Sequence, residues 1–370
     1  RNYTVLAIET SCDDTAVALL DRPSSNDLSV IANVRKTLKN ADVGGIIPVD
    51  AVLHHQNNLA PTVSEVLQAT NTVPDLIAVT RGPGMGACLA VGLECAKGLA
   101  VALNKPLIGV NHMLGHLLTC RIDQANYPQF PFVTLLASGG HTMFTLSRSL
   151  YHHQILLNTV DIAIGDALDK CARYLGFSGN MIAKEMEASL VQNFNPDWLQ
   201  NESLLRLTGD LPMRNKPRRI GSVAFSFASM ISKLSRTVSA AGIDPASFLE
   251  PQNQMQQLVL AHDVQNRAFD HVIERISTLL DSKSVPGLDS VKSFVASGGT
   301  ISNMTFRQKL QQLPFSNHYF PPAELCTDNA VMIGWAAIEM FENSNIRTSL
   351  SVPPYRKWDI STLSSDPYYV

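Results

Sequence analysis

The chain has 370 residues, enough for two domains, and its 45% hydrophobic and 16% charged residues are ordinary for a globular protein with a large core. A formal net charge of −3 excludes a polycation, so any contact with nucleic acid must rest on a local basic patch. The six cysteines, at 12, 88, 95, 120, 171 and 326, show no C-x-x-C spacing, which argues for reduced, buried thiols over disulfides or a zinc knuckle. No uninterrupted apolar run reaches the length of a membrane span. The first residue is Arg1, which fits a processed precursor or a trimmed chain.

Residues 3–20 alternate and are rich in Val, Leu and Ala, predicting a β-hairpin with its turn near Thr10–Asp14. Apolar spacing predicts a helix over 50–70. Leu76–Thr80 reads as a short buried strand, stopped by Gly82-Pro83-Gly84. A helix rich in small residues is expected from Gly86 to Leu103, a strand at Leu107–Val110 and a helix from about Asn111 to Cys120. A second hairpin falls at 132–146 and a helix at Asp161–Leu175. Residues 192–220 are polar and aperiodic, as in a loop or an insertion. Helices follow at 226–241 and 252–280, a strand at 291–297 and a helix at 328–342. The Pro- and Ser-rich tail after Ser349 is expected to pack on the surface. Strands alternating with helices predict an α/β fold with mainly parallel or mixed sheets.

One pattern recurs along the chain. A short apolar strand breaks at Ser138-Gly139-Gly140, after Leu136 and Ala137, and again at Ser297-Gly298-Gly299, with Asn303 close behind. A related strand, turn and strand opens the chain at Val5–Leu20. Glycines let backbone amides approach an anion closely, and turn amides form a concave nest for it. Three such turns suggest a nucleotide held between two related halves.

Several polar residues stand out beside these turns. His112 and His116, at i and i+4, share one face of a helix, either as ligands of one metal ion or as two surface or core histidines. Met113 occupies the place of a zincin's glutamate, which argues against a metalloprotease. Asp328 precedes an apolar helical stretch, either as its N-cap or as a third, oxygen ligand. Asp13 and Asp14 lie at the tip of the first hairpin, as turn formers or as carboxylates that position water or a cation-bound phosphate. Asp169 either accepts hydrogen bonds from a ribose or substrate hydroxyl or belongs to a solvated helix face. The basic run Met213–Arg219, with Arg214, Lys216, Arg218 and Arg219, reads as a phosphate-neutralising loop or as solvated surface.

Taken together these residues resemble the tRNA threonylcarbamoyladenosine transferase (TsaD) family. The resemblance is carried by Ile8-Glu9-Thr10-Ser11-Cys12-Asp13, Gly82-Pro83-Gly84, the His112/His116 pair, Ser138-Gly139-Gly140-His141-Thr142 and Asp166-Ala167-Leu168-Asp169-Lys170. Phe225-Ser226-Phe227, Ser297-Gly298-Gly299 with Asn303, and Cys326-Thr327-Asp328-Asn329 complete it. It implies the actin/Hsp70/sugar-kinase fold, a duplicated two-lobe α/β architecture with a nucleotide cleft between the lobes. One lobe is expected over 1–110 plus 328–370, the other over 111–327 with a variable insertion near 192–220. The resemblance implies transfer of a threonylcarbamoyl group from threonylcarbamoyl-AMP, made by a separate synthase, to N6 of adenosine 37 in tRNAs that read codons starting with A.

It further implies one iron or zinc ion bound by His112, His116 and Asp328, and contacts to the adenylate (or AMP or ATP) from Leu136, Ala137, Ser138, Gly139, Gly140, Asp169 and Asn303. The family's Pro-Gly-Gly after the Asp169 helix is replaced here by Ser178-Gly179-Asn180, so a glycine contact falls on Asn180. Asp13 or Asp14 is the expected proton acceptor. The chain looks closer to the bacterial and organellar branch, which suggests a mitochondrial protein, with a bacterial cytoplasmic source as the alternative, and a homodimer independent of accessory subunits. A kinase or ATPase of the same fold and a non-catalytic nucleotide-binding partner are the other readings. The two histidines with Asp328 argue against the kinase.

Overall fold

The computed structural model describes residues 2–24, 27–39, 45–208 and 223–370. The chain begins with β1 (Tyr3–Glu9), β2 (Asp14–Ser24) and β3 (Asp27–Thr37), followed by α1 (Pro48–Thr70), β4 (Leu76–Gly82), α2 (Gly86–Leu103), β5 (Leu107–Asn111) and α3 (His112–Leu118). It then repeats the plan with β6 (Phe132–Ala137), β7 (Thr142–Ser147), β8 (His153–Asn158), α4 (Ile164–Tyr174), α5 (Ile182–Asn193), α6 (Ala228–Ala240) and α7 (Gln254–Ser282). Last come β9 (Ser293–Ser297), α8 (Met304–Leu310), β10 (Asn317–Tyr319), the short α9 (Ala323–Cys326) and α10 (Ala330–Ser344).

The strands form two five-stranded sheets, ordered β3-β2-β1-β4-β5 and β8-β7-β6-β9-β10. In each, the first three strands are antiparallel and the last three run parallel. The second sheet thus repeats the first strand for strand, the duplicated two-lobe architecture of the actin/sugar-kinase type. The repeat differs in one respect from the turns seen in the sequence. Ser138–Gly140 follows β6, and Gly298–Gly299 follows β9, its parallel neighbour. Their counterparts in the first sheet are the Thr10–Asp13 turn after β1 and Gly82-Pro83-Gly84 after β4.

Both faces of the first sheet are covered, so β1 reads as a continuous apolar run. Leu6 and Ile8 face Leu59 and Val63 of α1 and Leu93 and Ala96 of α2. Val5 and Ala7 face the opposite layer, where α3 and α10 lie between the two sheets and also meet Leu136 and Val295. The far face of the second sheet packs Val133, Leu135 and Phe144 against α4 to α8. α2 is apolar enough over its 18 residues to match a membrane span by length and composition. Glu94 and Lys97 interrupt its run, and its inward residues Leu93, Ala96 and Ala100 join the core between α1 and the sheet.

Several sequence expectations are corrected. β3, β8, α5, α8 and β10 were not anticipated, because these segments are edge strands or short, polar helices with weak periodicity. The helix expected at Asp161 begins at Ile164; the Asp161 carboxylate accepts hydrogen bonds from Ser226 Oγ (2.6 Å) and Phe227 N–H (2.9 Å), which lie before α6. Residues 192–208 hold the end of α5 and a 3-10 turn at Pro196–Gln200. The tail is no surface appendage, since Val352, Trp358, Ile360 and Leu363 are buried. The basic run 213–219 lies outside the described residues.

Candidate metal centre and nucleotide cleft

In open α/β sheets the carboxyl ends of parallel strands carry the ligand site. Here the ends of β1, β4, β5, β6 and β9 carry the singled-out residues. β5 ends at Asn111, whose Oδ1 accepts hydrogen bonds from Met113 N–H (2.9 Å) and Leu114 N–H (3.3 Å) and so starts α3. His112 is therefore the first residue of α3 and His116 lies one turn on, with ring centroids 4.9 Å apart. Between them Gly115 lets α3 approach α10, because a Cβ there would stand 3.0 Å from Ile333 Cδ1 and 3.2 Å from Met332 Cγ.

α10 is capped by Asn329, which accepts from Met332 N–H at 2.9 Å. The reading of Asp328 as the cap is thus corrected, and its carboxylate turns to the histidines instead. Asp328 Oδ1 lies 3.1 Å from His116 Nε2 and 3.4 Å from His112 Nε2. One ligand atom from each of the three residues falls within 4.8 Å of the others.

The rest of the centre orients these groups. His112 Nδ1 lies 3.2 Å from Glu9 Oε2 and 3.3 Å from Ser11 Oγ. Glu9 also accepts from Ser11 N–H (2.6 Å) and from Thr80 Oγ1. Burial alone would lower the His112 pKa, but the Asp328 and Glu9 carboxylates outweigh it and push it up to about 10. Burial, with the charge of His112, lowers His116. Burial would raise Asp328, yet His112 and His116 hold it well below the usual carboxylate range. His116 Nδ1 is buried and meets no hydrogen-bond partner among the described residues. Two imidazole nitrogens from α3 and one carboxylate oxygen from the bend before α10, with His112 oriented from behind by a carboxylate, are a donor set that fits a divalent transition ion with open positions.

The hairpin tip lies beside this cluster. Burial pushes Asp14 up to about 6, against the hydrogen bond from Thr37 and the charge of Arg35. Arg35 Nη1 stands 4.0 Å from Asp14 Oδ2 and donates to Thr327 Oγ1 at 2.6 Å, joining the tip to the Asp328 segment. Burial raises Asp13 as well, and the Asp328 carboxylate adds to the shift. His55 holds the turn from below, between Thr15 Oγ1 (2.8 Å) and the Cys12 carbonyl (2.9 Å).

From the other lobe comes the turn after β6. Ser138 Oγ accepts from His141 N–H at 3.0 Å, and the Ser138 carbonyl accepts from Gly165 N–H of α4 at 3.2 Å. Gly139 and Gly140 are exposed, and a Cβ on either would meet nothing within 4 Å. Leu136 and Ala137 are wholly buried, backbone and side chain alike. Burial pushes His141 down to about 4, with the charges of His112 and His116 adding to it.

The remaining expected contacts sit further round the second lobe. Asp169 is half-buried and accepts from Ala183 N–H of α5 at 2.9 Å. Asn303 caps α8 through Phe306 N–H (3.0 Å) and donates to Gln265 Oε1 (2.9 Å), so its amide is already engaged. Glu187 of α5 accepts from the neighbouring Met304 N–H at 3.1 Å, which ties these elements together. Asn180 is exposed, in the bend before α5. Sequence reasoning missed the roles of Glu9, Arg35, His55 and His141. Glu9 and His141 lie inside quoted motifs, whereas Arg35 and His55 carry no sequence signal.

The family profile described as tRNA N6-adenosine threonylcarbamoyltransferase, TsaD, matches residues 29–335. The mitochondrial tRNA N6-adenosine threonylcarbamoyltransferase of Schizosaccharomyces pombe is 37% identical over 382 aligned positions, covering 98% of this chain and 88% of the relative. The enzyme of that name from Rhizobium leguminosarum bv. trifolii is 32% identical, covering 97% and 94%. Among solved structures, the activator of 2-hydroxyisocaproyl-CoA dehydratase from Clostridium difficile with bound ADPNP aligns over 93% of this chain and 97% of its own, at 11% identity and a TM-score of 0.46. On the profile and the relatives, the chain belongs to the tRNA N6-adenosine threonylcarbamoyltransferase (TsaD) family.

Proposed function

We propose that this chain transfers the threonylcarbamoyl group from threonylcarbamoyl-AMP to N6 of adenosine 37 in tRNAs that read codons beginning with A, releasing AMP. The observation that carries this reading is the convergence of His112, His116 and Asp328, with the open Ser138–Gly140 turn in the second sheet, in a member of this family. One iron or zinc ion held by those three residues would supply a Lewis acid for the carbamoyl oxygen.

The chain's own residues account for the rest. The exposed amides of Gly139 and Gly140 hold the phosphate, whose charge grows as the bond to the carbamoyl carbon breaks. Leu136 and Ala137 anchor that turn to the sheet, and Asp169, Asn180 and Asn303 line the adenylate side. The exocyclic amine attacks the carbamoyl carbon, AMP leaves with the bonding pair, and the amine loses a proton. Asp14 is already engaged by Thr37 and Arg35, which leaves Asp13 as the acceptor of that proton. Because the adenine amine is a weak nucleophile, orientation by bound tRNA carries much of the rate. The basic residues 214–219 supply phosphate contacts for it. A mitochondrial location follows the mitochondrial relative from fission yeast. A separate synthase supplies the adenylate. The homodimer part of the reading is supported by the outer face of α2, where Val101 is exposed and Gly98 faces open space.

Single-turnover transfer from threonylcarbamoyl-AMP to tRNA, read as modified nucleoside by mass spectrometry, tests the reading. His112→Ala and Asp328→Ala are expected to lose bound metal and transfer while remaining folded. Full metal occupancy in both variants overturns the assigned ligand set. A parent protein that forms no modified nucleoside overturns the function itself.

A further inference from the structure

The segment after α10 returns to the carboxyl end of β4. Thr348 N–H donates to the Leu107 carbonyl (2.7 Å) and Thr348 Oγ1 accepts from Gly109 N–H (2.8 Å), so the segment is fastened to β5. Arg347 and Val370 exchange two backbone hydrogen bonds of 2.9 Å and close residues 347–370 into a loop. Held by this loop is Arg81, wholly buried and ion-paired to Asp366, which is itself 1% exposed. Its guanidinium lies 3.9 Å from the ring centroid of Trp358, 4.5 Å from Tyr355, 5.6 Å from Tyr369 and 5.7 Å from Tyr368. A buried ion pair stabilises a fold little more than apolar side chains of the same volume. What its bidentate bonds and flat stacking add is a single geometry.

That geometry is handed on to the cleft. Tyr355 N–H donates to the Arg81 carbonyl (2.8 Å), and Gly84 N–H donates to the Arg356 carbonyl (3.2 Å). Met85 N–H donates to the Ser11 carbonyl (2.8 Å). Ser11 N–H donates to Glu9 Oε1 (2.6 Å), and Glu9 Oε2 faces His112 Nδ1 at 3.2 Å. An unbroken line of contacts therefore joins the tail to a side chain of the metal cluster, through two loops at the carboxyl ends of β4 and β1.

We propose that Arg81 and the aromatic tail, Tyr355 to Tyr369, form a positioning clamp for the cleft. They fix the Gly82–Met85 loop, and through it the Glu9–Asp13 segment that orients His112 and carries Asp13. Arg81 touches no reacting atom and acts through the backbone it anchors. The metal arm of the proposal rests on His112 being a ligand; the arm that concerns the loops does not.

The test uses the full chain with Asp366→Asn, and with Trp358→Leu, which keeps an apolar filling, as the second variant should the first not fold. Two quantities are read well below the melting temperature: amide hydrogen exchange in peptides covering residues 9–13 and 82–86, and the zinc dissociation constant by competition with a chelating dye. The expected result is faster exchange in both peptides with the core helices α7 and α10 unchanged, and zinc held about 10-fold more weakly. Unchanged protection of residues 9–13 in a folded variant overturns the clamp, as does a lower melting temperature with parent-like exchange and zinc affinity. Faster exchange in a protein whose parent binds no zinc upholds the clamp and overturns the ligand assignment.

Discussion

Glu9 shows what one residue does in this structure. It is a carboxylate with 1% exposure on an apolar strand, where burial is costly unless every lone pair is used. Ser11 N–H, the Thr80 hydroxyl and the His112 ring use them. Burial would raise its pKa, but the His112 imidazole outweighs this and holds the group ionised. A carboxylate behind a ligating imidazole fixes the tautomer; with an ion bound, Glu9 would hold the His112 proton on Nδ1 and leave Nε2 free for the metal. Glu9→Gln keeps the volume but turns an amide N–H₂ towards a donor. It is expected to weaken metal retention by roughly 10- to 100-fold while the protein stays folded. Elemental analysis after stepwise chelation checks this, and parent-like retention would return Glu9 to a purely structural part.

At the scale of elements, two glycine turns that look alike in sequence behave differently. Gly298, after β9, has φ +99°, and a Cβ on it would stand 2.4 Å from the Ala137 carbonyl oxygen. Gly139, after β6, has open space where its side chain would be. Gly298→Ala is therefore expected to cost on the order of 2–3 kcal/mol through backbone strain and the clash. Gly139→Val is expected to leave the melting temperature within a few degrees and to remove AMP binding, because its methyl groups fill the space a phosphate needs. Calorimetry with AMP, beside thermal melts, distinguishes the two. Full AMP affinity in Gly139→Val would show that the turn serves the fold alone.

For the whole molecule the same core sets a pH response. His153 sits between Ser147 Oγ (2.9 Å) and the Leu150 carbonyl (2.9 Å), and His271 accepts from Ser226 N–H at 3.1 Å. Burial pushes both down to about 4 from an ordinary 6.5. Between those values the unfolded chain binds the protons and the folded one does not. The stability these groups give is thus complete above pH 6.5 and is lost as pH falls towards 4, at most about 3 kcal/mol for each. Asp263 adds to the trend at lower pH. Burial would raise it, but His262, Arg206 and the Leu207 amide hold it at about 2, so its contribution fades below pH 4. Thermal unfolding is expected to drop by several degrees from pH 7.5 to pH 5, and less in His153→Gln. Equal midpoints at the two pH values in the parent would contradict this account.

The amino-acid sequence alone carried the α/β alternation, the paired hairpins, the glycine turns and the separate members of the His112–His116–Asp328 cluster. These are local signals: period-2 apolar runs, glycines where a chain must turn, and two histidines one helical turn apart. It could not distinguish Asp328 as helix cap from Asp328 as ligand, since both need a polar residue before an apolar run. Packing decided the cap, by giving it to Asn329, and brought Asp328 to the histidines by setting α10 against α3 across Gly115. Nor did composition reveal the tail. Its prolines and serines read as surface, whereas Tyr355, Trp358 and Asp366 find their partner at Arg81, far away in the chain. Edge strands β3 and β8 escaped because one side of each lacks a strand to cover it, which weakens the apolar pattern. Which turns hold equivalent places in the two sheets was settled by strand order, a property of long-range pairing that no local stretch of residues encodes.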